Sequence, residues 1–230
     1  MTNFNDVVSQ FRIEGTVENV SPIGNGLINE TLRVKTVDAN TPDYILQRIN
    51  NAIFTDVDLL QHNIELVTDH IRHKLMEKGE TDIERKCLRF VQAKDGKTYY
   101  KDADDRYWRM SVFIPNAITK EEVNPESAFC CGETFGNFQN MLVDLKEPLG
   151  ETIPDFHNME LRLRQLREAV SADKAGRVAS VKDMIAELES YADEMCLAER
   201  LYREGALPKR ICHCDTKVNN MMFDKDGKVL

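Results

Sequence analysis

The sequence predicts an α+β fold, with a small antiparallel sheet in its first half and a mostly helical second half. Short alternating runs at residues 12–20, 31–37, 44–49 and 107–114 are separated by turns rich in Gly, Pro and Asp, as expected for paired strands. Between the third and fourth runs, Leu60, Ile64, Val67, Ile71 and Leu75 follow the 4-3-4-4 spacing of one long helix. From about Pro125 the apolar positions recur at helical spacing as far as Gly205 and Pro208.

A chain of 230 residues, 42% hydrophobic, can bury a core and divide into two lobes, here 1–115 and 116–230 with the junction near residues 115–124. A net charge of -9 argues against non-specific nucleic-acid partners, whose phosphates would repel it. The amino terminus lacks a basic and then apolar leader. No later run approaches the roughly 20 apolar residues of a membrane span, so a cytoplasmic protein without a membrane partner is expected. Six cysteines without a repeated CxxC pair are expected as free thiols. Cys212 and Cys214 flank His213 but lack a second ligand pair for zinc. On a strand the two thiols share a face, which makes buried packing the simpler reading.

Residues 1–11 suit a leading helix, and Arg12–Val20 a first strand. The interruption that follows contains Gly24, Asn25 and Gly26 before the strand Thr31–Val37. Glycines between paired strands let the backbone approach a phosphate, although a plain hairpin turn has the same composition. Tyr44–Ile49 forms the third strand, with Tyr44, Leu46 and Arg48 on one face. Arg48 is the one cation there, placed either for the phosphates of a nucleotide or simply to reach solvent. The helix at 56–77 carries Glu65 one position off its apolar stripe, where it would meet Arg48 as an ion pair or remain solvated.

Leu88–Val91 and Thr98–Tyr100 read as hairpin strands, and Tyr107–Ile114 as the last strand before Pro115. Backbone groups around Phe113 and Ile114 are candidates for reading an adenine edge, beside the plainer reading of a buried strand. One helix carries Phe135, Phe138, Leu142 and Leu145. The turn after it places Asp155, Phe156 and His157 together, as an acceptor pocket or as a helix-capping turn. Asn158–Ala172 and a helix capped by Ser180 complete the helical part.

Near the end, Ile211–Phe223 contains His213, Asp215 and Asn220 at the spacing H-x-D-x-x-x-x-N. Phosphoryl transfer needs a carboxylate to orient an acceptor hydroxyl and, a few residues on, a neutral amide to coordinate the metal bridging the phosphates. Asp215 is the candidate base, Asn220 the candidate metal ligand, and His213 a scaffold whose ring would bond the backbone. Asn220–Phe223, the turn Asp224–Gly227 and Lys228–Leu230 then read as a hairpin. An ordinary loop with a capping Asp is the alternative.

In that order, the Gly24 turn, the Arg48 strand, the long helix, the connector and the Asp215 loop resemble the aminoglycoside phosphotransferase and choline kinase superfamily. The phrases Gly26–Thr31, Tyr44–Asn50, Trp108–Met110 and Ile153–His157 are similar to those of the bacterial N-acetylhexosamine 1-kinase subgroup. The resemblance implies a protein-kinase-like fold and ATP- and Mg2+-dependent transfer of the γ-phosphate to a hydroxyl of a sugar or amino alcohol. It puts Asp215 on the catalytic aspartate, Asn220 on the metal-binding asparagine and Arg48 on the phosphate-binding cation. Such kinases carry a second metal-binding Asp on the strand after the hairpin, and this chain stops at Leu230, where that strand begins. The expectation is therefore a C-terminally truncated kinase chain, with a non-catalytic nucleotide- or protein-binding fragment as the alternative.

Overall fold

The structure, a computed structural model, describes residues 3–24 and 28–230. The chain forms two compact units, one of residues 1–152 with 211–230 and one of residues 153–210. The Asp215 loop belongs to the unit that holds the sheet.

That sheet contains β1 (Val17–Pro22), β2 (Glu30–Thr36), β3 (Tyr44–Ile49), β4 (Tyr99–Lys101) and β5 (Tyr107–Val112) in the order β1-β2-β3-β5-β4, with every neighbouring pair antiparallel. Because side chains alternate along each strand and cross-strand partners share a face, the register defines two sides. On one side, Leu32, Leu46, Trp108 and Met110 pack with Val7, Val8 and Phe11 from the first helix and its exit. That helix, α1 (Phe4–Val8), is capped by the side chain of Asn3.

On the other side, Ile49 and Tyr99 pack with Val57 and Leu60 at the start of α2 (Val57–Glu77). Asp56 caps α2 by accepting from the Leu59 amide. The far end of α2 buries Ile71 and Leu75 against Leu142, with Phe138, Met141 and Ile211 alongside. The same helix thus touches the sheet with its first turns and the approach to the Asp215 loop with its last.

A short helix α3 (Ile83–Lys86) precedes the segment expected as the strand Leu88–Val91, which makes only an isolated bridge from Phe90 to Ser111. Helix α4 (Pro125–Met141) starts at a capping box in which the side chains of Asn124 and Ser127 each bond the other's backbone, with Pro in the first turn.

The second unit contains α5 (Met159–Ala172), α6 (Lys182–Ser190), α7 (Ala192–Met195) and α8 (Leu197–Arg203). Ser180 does not cap α6: its hydroxyl donates to the Arg177 carbonyl, and the helix begins after Val181. Among the described residues, no helix is long and apolar enough to cross a membrane.

Candidate functional site

The Asp215 loop is fixed at both ends and exposed between them. Ile211 packs into the cluster at the end of α2, while Val218, Met221 and Phe223 are buried beyond it. Phe223 exchanges backbone hydrogen bonds with Ile118, each 2.9 Å, and pairs with Val229 across the turn. That turn is closed by the Asp224 carboxylate, which accepts from the amides of Asp226 and Lys228.

Within the loop, Cys214 adopts a left-handed backbone (φ 65°), and a single turn of 3-10 helix covers Val218–Asn220. The two features double the chain back, so that Asn220 Nδ2 lies 2.7 Å from Asp215 Oδ2 and 2.9 Å from the Asp215 carbonyl oxygen. Lys217 Nζ stands 3.3 Å from the same carboxylate oxygen. The Asn220 amide, then the Lys217 ammonium, hold the Asp215 carboxyl below its ordinary range. It is an exposed carboxylate, ionised at neutral pH, facing solvent.

His213 contributes differently from the expectation. Its ring packs on two aromatic rings of α4, 5.1 Å from Phe135 and 5.9 Å from Phe138, edge-on to the second. The loop is braced by aromatic packing, and among the described residues the imidazole makes no bond to its own backbone. Cys212 and Cys214 depart from the strand reading as well: both lie in the exposed loop.

The structure does not bring Arg48 and Glu65 together. Arg48 pairs with Glu30 at 3.0 Å, is exposed, and stands opposite Trp108 on the α1 side of the sheet. Glu65 lies on the α2 side, where its carboxylate accepts from the Thr98 hydroxyl at 2.5 Å. Strand alternation separates the two, since position 48 shares its face with buried Leu46 and position 47 faces α2.

The α2 face carries a polar row that the sequence reading passed over. Thr31, Gln47, Arg109 and Tyr99 are successive cross-strand partners. Gln47 donates to the Thr31 hydroxyl (3.1 Å), and Arg109 Nε donates to Gln47 Oε1 (3.1 Å). Buried Gln61 of α2 accepts more distantly from Arg109 (3.5 Å) and donates to the carbonyl and hydroxyl oxygens of Thr98. The signal was present in Trp108-Arg109-Met110, a cation between two buried apolar residues on an interior strand.

The remaining candidates are spread over the sheet and the second unit. Gly24 has φ 73° and open space around its Cβ position, while Asn25 and Gly26 lie outside the described residues. In the connector, the Phe113 amide already donates to the Asp43 carbonyl (2.8 Å), and the Arg33 guanidinium covers its ring at 4.2 Å. The Phe113 N–H is therefore not available to an adenine edge, whereas the Ile114 amide has no intramolecular partner among the described residues. In the second unit, Asp155 has φ 55° and accepts from Asn158 Nδ2 (2.8 Å), while Arg162 donates to the carbonyls of Asp155 and Phe156. His157 packs edge-on against Phe156 (4.7 Å), and Asn158 caps α5. The turn thus carries the capping architecture while presenting the Asp155 and His157 side chains at the surface.

The aminoglycoside phosphotransferase of Alicyclobacillus acidocaldarius subsp. acidocaldarius DSM 446 superposes with a TM-score of 0.58 at 18% identity, over 98% of this chain and 64% of that one. Amicoumacin kinase hAmiN, in a complex with AMP-PNP, Ca2+ and Ami, aligns at a TM-score of 0.46 and 15% identity, over 74% of this chain and 52% of its own. The chain thus spans less than two thirds of the length of these solved structures. The first likeness shows the kinase-like α+β fold. The sequence model of the phosphotransferase enzyme family (APH) matches residues 19–230, which contain the Asp215 loop and all of the sheet but its first two residues, and the chain belongs to that family.

Proposed function

We propose that the protein is an ATP- and Mg2+-dependent phosphotransferase that moves the γ-phosphate of ATP to a hydroxyl of a small molecule, a sugar such as an N-acetylhexosamine. The observation that carries this reading is the ionised Asp215 carboxylate held at 2.7 Å by Asn220 in an exposed, doubly anchored loop. In phosphoryl transfer the protein mainly positions groups and stabilises charge. Asp215 would accept the hydrogen bond of the acceptor hydroxyl, aim its oxygen at the γ-phosphorus and take its proton as the bond forms. His213, braced on α4, keeps that carboxylate in place.

The donor set fits Mg2+ in part. A carboxylate can only accept hydrogen bonds, so the Asn220 amide meets Asp215 with its nitrogen and turns its oxygen away, which leaves one hard oxygen donor for the cation. The nucleotide phosphates would supply further oxygens, and the metal would neutralise charge on them. Gly24, Asn25 and Gly26 would cover the phosphates, and the Ile114 amide would meet the adenine edge. An ATP-dependent transfer of this kind would suit a cytoplasmic protein.

Incubation with ATP and Mg2+ against a panel of N-acetylhexosamines, amino alcohols and aminoglycosides tests the reading. Phosphorylated product from one acceptor class supports it, with a sugar 1-phosphate expected. Absence of transfer to every acceptor, together with an unchanged melting temperature in ATP and Mg2+, contradicts it.

A further inference from the structure

We infer that Arg109, on the α2 face of the sheet, is the cation that receives the polyphosphate of the nucleotide. The inference rests on the kinase reading and relocates the positive charge expected at Arg48.

Arg109 lies on β5, between β3 and β4, and its side chain is partly buried beneath the first turns of α2. Withdrawal from water pushes its guanidinium down to about 10, so it remains a full cation at neutral pH. No carboxylate lies within salt-bridge distance of it among the described residues. Its polar contacts are amide oxygens, Gln47 Oε1 at 3.1 Å and Gln61 Oε1 at 3.5 Å, and the Phe90 ring lies 5.7 Å away. A guanidinium has five N–H donors, and these two bonds use two of them.

A cation taken out of water without a counter-ion is costly, and neutral amides orient it without cancelling its charge. The Glu65 carboxylate of α2 accepts from Thr98, and Gln61 and Thr98 relay between it and Arg109. At the other end, Gln47 reaches Thr31 on β2, and the Thr31 carbonyl accepts from the Ile23 amide immediately before Gly24. The row therefore runs from Ile23 and Thr31 to α2, with one positive charge in its middle that has no carboxylate within salt-bridge distance among the described residues. A planar fork with unused donors on that row matches the oxygens of a nucleoside di- or triphosphate. Arg48 is already neutralised by Glu30 on the opposite face.

The test compares binding of ATP, ADP and adenosine by titration calorimetry to the wild type, Arg109→Gln and Arg109→Lys. Arg109→Gln should bind ATP at least ten-fold more weakly and adenosine within two-fold of wild type, with Arg109→Lys in between. If the wild type binds ATP and Arg109→Gln matches it within two-fold, this inference falls and the nucleotide reading stands. If the wild type binds neither ATP nor adenosine, both fall. Should Arg109→Gln lose its melting transition, phenylglyoxal modification of the wild type decides: ATP, and not adenosine, should protect Arg109 at least five-fold. Equal modification with and without ATP overturns the assignment.

Discussion

Asn220 holds Asp215 at two points, its Nδ2 standing 2.7 Å from the carboxylate and 2.9 Å from the backbone carbonyl of the same residue. The amide thereby depresses the carboxyl's proton affinity and fixes the direction in which its own oxygen points.

In the proposed transfer Asp215 would act in its ionised form, which exists above its pKa, and the Asn220 bond holds that pKa low. Asn220→Ala removes the donor, so the carboxyl should titrate at higher pH than in the wild type. Carbon-13 NMR titration of labelled aspartate reads this without any activity. A midpoint unmoved by the substitution would deny that Asn220 sets the charge of Asp215.

The His213 ring lies on Phe135 and Phe138, and aromatic pairs contribute about 0.5–1.5 kcal/mol each. His213→Phe should keep the packing and stay within about 0.5 kcal/mol of wild type, whereas His213→Ala should lose about 1–2 kcal/mol. Urea unfolding measures both. Equal loss in the two variants would assign the histidine a polar role instead.

Phe223, 1% exposed, fixes the exit of the loop through its bonds to Ile118. Phe223→Ala should cost about 3–5 kcal/mol in denaturant unfolding. It should also increase amide exchange at Val218–Met221. Unchanged exchange there would separate the buried ring from the order of the loop.

Asn63 and Gly150 bond reciprocally, Nδ2 to the carbonyl at 2.7 Å and the Gly150 amide to Oδ1 at 3.2 Å. A Cβ at Gly150 would stand 2.6 Å from Leu59 Cδ1, so the segment passes α2 at glycine distance. Asn63→Ala should destabilise by about 1–3 kcal/mol because it leaves both backbone groups of Gly150 unpaired. A change below about 0.5 kcal/mol would mean that water replaces the side chain fully.

Strand and helix periodicity made much of the architecture legible. β3 occupies the expected Tyr44–Ile49, α2 starts directly after Asp56, and α5 directly after Asn158, because each has a strong stripe and a chemically distinct start. The continuous helix expected after Ser180 is instead α6, α7 and α8, since its apolar spacing says nothing about local breaks at Tyr191 and Cys196. The Asp215 loop stood out because the chemistry proposed for it demands fixed residue types at fixed spacing.

The cation on the α2 face was not legible. Gln47 and Arg48 are adjacent polar residues on one strand, and sequence alone favours the charged one. Which of them faces α2 depends on how Leu46 and Ile49 divide between two cores, and that is settled by packing. Once Leu46 joins the α1 side, Arg48 is committed to that face, and the cation found beneath α2 is Arg109 of β5.

The central claim is tested most directly by Asp215→Asn, which keeps the shape of the side chain and removes its charge. With ATP, Mg2+ and an acceptor identified from the panel, turnover should fall by about 10²–10⁴-fold, while the dissociation constant for ATP stays within three-fold of wild type. Turnover within ten-fold of wild type would contradict the assignment of Asp215 as the base.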